Sequence, residues 1–591
     1  MNYQNTISSR KAKNFFIMNQ KRAVLKELIF FIFICIPALS GQQNPVQSII
    51  DINNFTLWVR DDGFHDWVIN NNYCSTFPKG TTGPIFTEGI VWGGKVYDGK
   101  DTIVRVNGCT YACGNSAIER LFRVRTDYLN ADLTDDASNF YMVPLDKVTK
   151  SMISEIYKQY EKDWNEWPAE KGAPFYDINK DGKYEPDTDI PGVPGAAQTL
   201  WINYTDNNSY NTYGSPNIGL EVRETYWAYS DSGKVGNVIY KKADIIYKGT
   251  QDTQQDSRID SMYICQFTDT DDGIATNDFL GCDTLFNLGY VYNSSDYDER
   301  YNAFFLAPPA AGYSILTGAA FRTGIPSDSA IINFKWRHGY KYFNSSPLTV
   351  FIAHRTGGYF ADPDFNYTGA LEFYNLMRGY LPEPHYPASR KVKGEFEGYG
   401  TYNLSGDPIT KTGWIDGVRD TPGDRRFWAM SGPLNMKLGD TAEVTYAIVG
   451  GLGDNHLSSI THLRVNTKWA IAEYYKMVDE ITNEHVNIPV NKISQENYAL
   501  FQNYPNPFNS TTVIKYELAD DAYVKLVIYD ILGRAVKTLV DEEKAAGIYK
   551  VSFSADNLPS GIYFCKISFN NSKSKLVYDN LTRVNKLLLL K

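Results

Sequence analysis

The chain has 591 residues, too many for one hydrophobic core, so two or three domains are expected. A formal net charge of −10 without any basic cluster argues against nucleic acid as a partner. Charged residues make up 21%, which is ordinary for a globular chain, and the 43 Tyr, 31 Phe and 11 Trp favour strands.

Residues 1–41 read as a secretory signal peptide. Lys21, Arg22 and Lys26 precede the apolar run Leu28 to Ile36, and Ala38-Leu39-Ser40 supplies small residues for cleavage. The run is too short to serve as a permanent membrane span, and Cys35 lacks the surroundings of a lipoprotein signal. The long leader suggests Met18 as the true start, which precursor peptides upstream of Met18 would disprove. No second apolar run reaches spanning length.

The body, residues 42–480, is expected to be mainly β. Its strand-like runs include Ile90 to Val96, Thr102 to Val106, Leu220 to Tyr229, Val238 to Tyr247, Ile259 to Phe267, Leu348 to Ala353 and Ala442 to Val449. Met262 to Phe267 is apolar on both parities, as a strand lying between two layers should be. Helices are few. Val148, Met152, Ile156, Tyr160 and Trp164 share one helical face before Pro168, and a second helix begins near Ser458 and carries Ile460, Leu463, Ala470, Ile471, Tyr474 and Val478. The fold expected is a β-sandwich-rich body with a few inserted helices, divided into two subdomains near 300–340, and followed by a polar linker at 481–496.

Six cysteines remain once the signal is removed. In an oxidising compartment the first pairs to expect are Cys265 with Cys282, and Cys74 with Cys109 or Cys113; six thiols allow fifteen pairings, and sequence does not choose. Cys109-x-x-x-Cys113 as a zinc site is the sharper alternative, but no second ligand pair follows at a suitable distance.

The best chemical motif is DINKDGKYEPDTD. Asp177, Asn179 and Asp181, then the turn at Gly182 and the carbonyl of Lys183, place oxygens at alternate positions as a calcium loop does. Thr188 stands where a bidentate acid is needed, so Asp187 or Asp189 must serve, and Pro186 argues against a following EF-hand helix. A second, less regular acidic stretch offers Asp269, Asp271, Asp278 and Asp283, beside Asp272 and Asn277. Calcium at either place would be structural; the plain alternative is an acidic turn held by its own backbone.

Catalytic patterns are missing: there is no HExxH, no GxSxG and no phosphate-cradling glycine loop. His65, beside Asp61, Asp62 and Asp66, reads as an exposed polar turn ahead of a metal ligand or base. Asp416, Arg419, Asp420, Asp424, Arg425 and Arg426 read as ion pairs holding a loop, ahead of an anion site. A glycosidase needs only two carboxylates, and the chain has many, so sequence does not exclude one.

The last stretch, 497–591, opens on NYPNPFN, whose prolines forbid helix interior and central strand. Short strand-like runs follow at Val513 to Leu518, Val524 to Tyr529, Tyr549 to Phe553 and Ile562 to Phe569, separated by turns. The phrases YPNPFN, VKLVIYDILGRAVKTLV, AGIYKVSF and LPSGIYF, closing on KLLLLK, resemble the type A C-terminal sorting domain of the type IX secretion system. The resemblance rests on Pro505, Asn506, Pro507, Phe508, Gly561, Tyr563 and Lys591; Cys565 departs from it. It implies an immunoglobulin-like β-sandwich, export through the periplasm to the outer-membrane surface or medium, and the type IX machinery as partner, with surface lipopolysaccharide a further one. Body phrases such as GAPFYDINKDGKYEPDTDIPG and GWIDGVRDTPGDRRFWAMSGP are similar to stretches of other large secreted proteins with this tail, and bring no activity with them. The resulting expectation is a secreted or surface protein with a calcium-stabilised body that binds glycan or an envelope component. A secreted polysaccharide hydrolase is the alternative.

Overall fold

Alternating and doubly apolar strands assemble into two large antiparallel sheets in the body. The computed structural model describes residues 46–68, 75–208, 212–230, 233–355, 363–380, 382, 401–418, 420–483, 499–500, 503, 506–518, 522–531, 534–545, 547–555, 558–570 and 581–590. The signal segment with Met18, Cys74, Arg419, residues 484–496 of the expected linker, Pro505 and Lys591 lie outside these.

The nine-stranded sheet runs in the order Asp278–Asp283, Leu288–Asn293, Ala310–Thr317, Thr441–Gly451, Val238–Tyr247, Leu220–Ala228 and Gln198–Thr205, the last pairing with both Ser116–Ala117 and Phe122–Arg125. The six-stranded sheet runs Val350–Arg355, Arg425–Lys437, Arg258–Thr270 and Thr87–Tyr97, the last pairing with Phe64–His65 and Thr102–Gly108. Both sheets take strands from each side of 300–340, so the expected subdomain division does not fall between them. Strand pairing between residues distant in sequence joins the two sides of that range.

Ile90, Trp92, Ile264, Phe427 and Ala429 of the smaller sheet meet Val222, Tyr226, Ile245, Tyr446 and Ile448 of the larger in one apolar cluster. The outer faces are covered too. Helix Tyr367–Met377 lays Phe373, Tyr374, Leu376 and Met377 on Val91, Cys265, Phe267 and Trp428. Helix His456–Thr482 lays Ile460, Leu463, Ala470, Tyr474 and Val478 on Trp227, Tyr240, Tyr290 and Val449. This layering of helix, sheet, sheet and helix explains why Met262 to Phe267 reads as apolar on both parities. Helix Tyr367–Met377 was not among the expected elements; Asn366 caps it by accepting from Gly369 N at 3.0 Å.

Helix Lys150–Asn165 begins at Thr149, which accepts from Met152 N, and buries Ile156 and Tyr160. Its Tyr160 hydroxyl donates to Asp136 (2.6 Å), which also receives Arg123 (3.2 Å), and Arg123 donates in turn to Asp51 (2.8 Å). A buried guanidinium thus ties the helix to the first strand of the body.

The tail forms two further antiparallel sheets, one of Ala499–Leu500, Thr511–Leu518 and Gly547–Ser554, the other of Ala535–Lys544, Ala522–Asp530, Gly561–Asn570 and Leu581–Leu589. Phe508, Ile514, Leu526, Phe553, Tyr563, Ile567 and Leu587 fill the core between them.

Asn455 and Ser458 form a reciprocal capping box at the start of the long helix, each side chain accepting the other's backbone N–H at 2.9 Å. Asn455→Ala removes one half and should cost about 1 kcal/mol, read as a lower thermal unfolding midpoint of the body.

Candidate functional site

The body's densest set of chemically capable side chains lies between its two sheets. Glu224 and Tyr226 stand on one strand of the larger sheet, between the strand that carries Lys241 and the strand that carries Tyr204; Glu88, Gln266 and His65 reach in from the smaller sheet. Lys241 Nζ donates to Glu88 Oε2 (3.1 Å) and Gln266 Oε1 (3.2 Å) and lies 3.5 Å from Glu224 Oε1. Glu224 also accepts from the hydroxyls of Tyr204 (3.0 Å) and Tyr226 (2.9 Å). His65 Nε2 donates to Glu224 Oε2 at 2.8 Å while Nδ1 accepts the backbone N–H of Arg60 at 3.2 Å. With Nδ1 facing a backbone donor, Nε2 is the ring nitrogen that donates to Glu224.

His65, Glu88, Glu224, Lys241 and Gln266 are each 0% exposed. The expectation of an exposed turn at His65 is therefore corrected: the two-residue strand Phe64–His65 carries the ring inside, which its polar neighbours concealed. Burial raises the Glu224 carboxyl, but the Lys241 ammonium and the bonds from His65 and Tyr226 outweigh it and hold the group down to about 2. Asp66 goes the other way, pushed well above the carboxylate range by burial and by the nearby Glu88 charge. The set resembles an acid–base apparatus in composition, but its sealed position makes it an inter-sheet tie.

The loop from Asp177 is built as expected of an Asx-rich turn. Asp177 Oδ1 accepts from Lys180 N (2.7 Å) and its Oδ2 from Gly182 N (2.8 Å); Asn179 accepts from Asp181 N (3.0 Å) and Asp181 from Lys183 N (2.9 Å). Asp189 closes the loop, accepting from Ile178 N and Glu185 N at 2.9 Å each, and is buried, whereas Asp187 is exposed.

The second acidic stretch divides. Asp269 and Asp271 meet Asp424, with carboxylate oxygens within 4.8 Å of one another. Asp278 is buried beside Asp272, whose backbone N donates to Asp278 Oδ2 at 3.2 Å. Asp283 does not join them: it sits at the other end of the strand, about 17 Å along by strand geometry, and pairs with Arg464 Nε at 2.9 Å. Burial and the Asp424 charge raise Asp271 to about 7, while burial and the carboxylates around them push Asp272 and Asp278 well above the usual range. Asp272, Asp298 and Asp424 come to this place from separate segments, a grouping no local spacing signals. The neighbouring charged cluster forms ion pairs, Arg425 with Asp416 (3.0 Å) and Arg355 with Asp420 (3.1 Å).

The cysteine pairings differ from expectation. Cys109 and Cys113 are bonded to each other, so neither is a zinc ligand nor a partner for Cys74. Cys265 and Cys282 are free and buried. They cannot meet, because Cys265 faces the outer helix from the smaller sheet while Cys282 faces the inter-sheet core from the larger. Cys565 is a free thiol in the tail's core, raised to about 12 by burial.

In the tail, the opening turn clasps the last strand. Asn506 accepts from Leu588 N (2.8 Å) and donates to Lys586 O (3.3 Å), while Phe508 N donates to Leu588 O and Leu590 N to Phe508 O, both at 2.9 Å. Pro507 lies between these two residues in the turn, and the Phe508 ring is buried against Phe553. Tyr563, two residues after Gly561 at the start of its strand, donates to Pro559 O at 2.8 Å. The motif's residues thus lock the C-terminal strand to the sandwich.

The molecule is therefore a mainly β protein carrying a separate C-terminal sandwich module. Residues 502–578 match the family of the secretion system C-terminal sorting domain, so the chain carries a type IX sorting tail and is exported to the cell surface or extracellular space. No curated protein matches the chain. Among solved structures, a polysaccharide lyase is similar over 94% of this chain and 47% of its own, at 8% identity and a TM-score of 0.21. The adhesin domain of Epf from Streptococcus pyogenes is similar over 62% of this chain and 82% of its own, at 9% identity and a TM-score of 0.13. At those scores neither likeness bears on function. Among the described residues, no helix is long and apolar enough to cross a membrane.

Lys241→Met leaves Glu88 and Glu224 buried without their cation and should destabilise the body by about 3–5 kcal/mol, measured by thermal unfolding. Because Glu224 is depressed from 4.5 to about 2, its contribution is full above pH 4.5 and is lost as pH falls through that window. Acid-unfolding curves of Glu224→Gln should be flatter there than those of the parent.

Proposed function

We propose that the protein is a type IX-exported surface or secreted protein whose body binds a glycan or a cell-envelope component. The observation that carries this reading is the segment after Asn293. Tyr297, Phe304 and Phe305 are exposed there, Phe305 to 96%, and Phe305 holds a left-handed φ of 59°. An exposed aromatic ring on a left-handed non-glycine residue gains nothing for folding and costs about 1–3 kcal/mol of strain, which points to a role outside the core. Flat aromatic faces at the end of a stiff sandwich suit sugar rings, whose apolar C–H faces stack on them. The buried position of the His65–Glu224–Lys241 set speaks against the hydrolase alternative, since its carboxylates have no exposed surface for a polysaccharide.

Calcium at the Asp177–Asp189 loop belongs to the same reading. Its turns already gather the oxygens of Asp177, Asn179 and Asp181 at alternate positions, and an ion there would stiffen the loop at an affinity of about 10⁻⁴ M. After export the tail is either cut off, releasing the body, or exchanged for attachment to surface lipopolysaccharide, and the residues between 483 and 499 are the natural place for the cut.

Phe305→Ala and Phe304→Ala should abolish retention on the glycans that the parent binds in an array while leaving the unfolding midpoint unchanged, and Phe305→Gly should raise that midpoint. Turnover of any polysaccharide by the parent would favour the hydrolase instead. Removal of residues 497–591 should strand the protein in the periplasm, as fractionation and surface labelling would report; normal surface display refutes the sorting role.

A further inference from the structure

Three segments far apart in sequence bring carboxylates to one place at the end of the smaller sheet. Asp269 lies at the end of the strand Arg258–Thr270, Asp271, Asp272 and Asp278 follow it, Asp298 comes from the segment before Glu299–Asn302, and Asp424 precedes the strand Arg425–Lys437. The backbone is shaped for them. Gly273 has φ +82° and a Cβ there would collide with Asp298 Oδ1, so only glycine lets that carboxylate fold into the turn, where it accepts from Ile274 N and Asn277 Nδ2 at 3.0 Å each.

Two observations separate this nest from an ordinary acidic surface turn. The oxygens of Asp269, Asp271 and Asp424 converge within 4.8 Å. Beside Asp271, Asp278 is fully buried and its Oδ1 has no hydrogen-bond partner, as is true of Oδ1 of Asn277. The Tyr301 hydroxyl bonds Asp272 and also lies 3.3 Å from the carbonyl oxygen of Thr82. Arg426 reaches Asp424 (3.4 Å) and Asp269 (3.8 Å), and Arg300 lies near Asp271. A buried carboxylate oxygen without a donor, such as Asp278 Oδ1, is costly unless a cation meets it.

We propose that this nest is a site for one hard divalent cation, held between Asp269, Asp271 and Asp424 and backed by Asp278 and Asp272. Its donors are oxygens without sulfur or imidazole, which selects calcium over zinc or copper. The ion would pin the 269–278 loop to the segment 420–424 and fasten the root of the exposed aromatic segment at Asp298. The assignment does not rest on glycan binding.

The test is calorimetric titration of calcium chloride into the chelator-stripped full mature chain, with Asp177→Asn separating the other acidic loop. The parent and Asp177→Asn should both show this binding event; Asp271→Asn, at a half-buried position that tolerates an amide, should lose it, and Asp278→Asn should weaken it about 10–100-fold. Without metal, Asp278→Asn should melt no lower than the parent, because the amide relieves carboxylate crowding. A lanthanide-soaked crystal should show a peak about 2.3–2.6 Å from oxygens of Asp271 and Asp424. Unchanged calcium binding in Asp271→Asn and Asp278→Asn, a parent whose only calcium event vanishes in Asp177→Asn, or a soaked crystal without that peak would each overturn the proposal. None of these outcomes bears on glycan retention, which the aromatic variants test separately.

Discussion

The ammonium of Lys241, shared between Glu88 of one sheet and Glu224 of the other, sets the terms on which the two sheets of the body meet. Apolar packing between sheets is nondirectional, and a sandwich cemented by it alone tolerates small slips in register. A buried cation that must satisfy two carboxylates and Gln266 admits one alignment, because any slip leaves a charge unpaired in a medium where that is expensive. The two tyrosines and His65 complete the set by using the remaining lone pairs of Glu224.

Around that tie, the layers follow from the composition of the strands. Apolar on both parities, the central strands need cover on both faces, and helices Tyr367–Met377 and His456–Thr482 supply it. The chain's many aromatics are mostly spent in these four layers, as Trp92, Trp201, Trp227 and Trp428 all lie fully buried. Those that remain outside, Phe305 above all, therefore stand apart as residues the fold does not use.

The tail obeys a different logic. Its core is its own, and its opening turn is bonded to its last strand by Asn506 and Phe508, so the module closes on itself at its two ends. The sandwich that carries the sorting motif thus has a core of its own.

The address and the fold class were legible in the residues themselves. Period-two alternation marks strands, turn residues punctuate them, the motif YPNPFN with its following runs is local, and the faces of the helices at Lys150–Asn165 and His456–Thr482 could be counted off in fours. So could the Asx turns between Asp177 and Lys183, since each oxygen meets a backbone N–H only a few residues on. What escaped was everything made by distant segments. His65 looked exposed because its neighbours are acidic, yet its partner Glu224 is 159 residues away. Cys265 and Cys282 looked like a pair because they are close in sequence, yet parity turns them to different faces. Asp283 looked like a member of the acidic stretch, and Asp298 and Asp424 did not, because a strand carries Asp283 away while sheet pairing brings the other two in. Local chemistry is written in the order of residues; which charges share a low-dielectric interior is decided only when the sheets close.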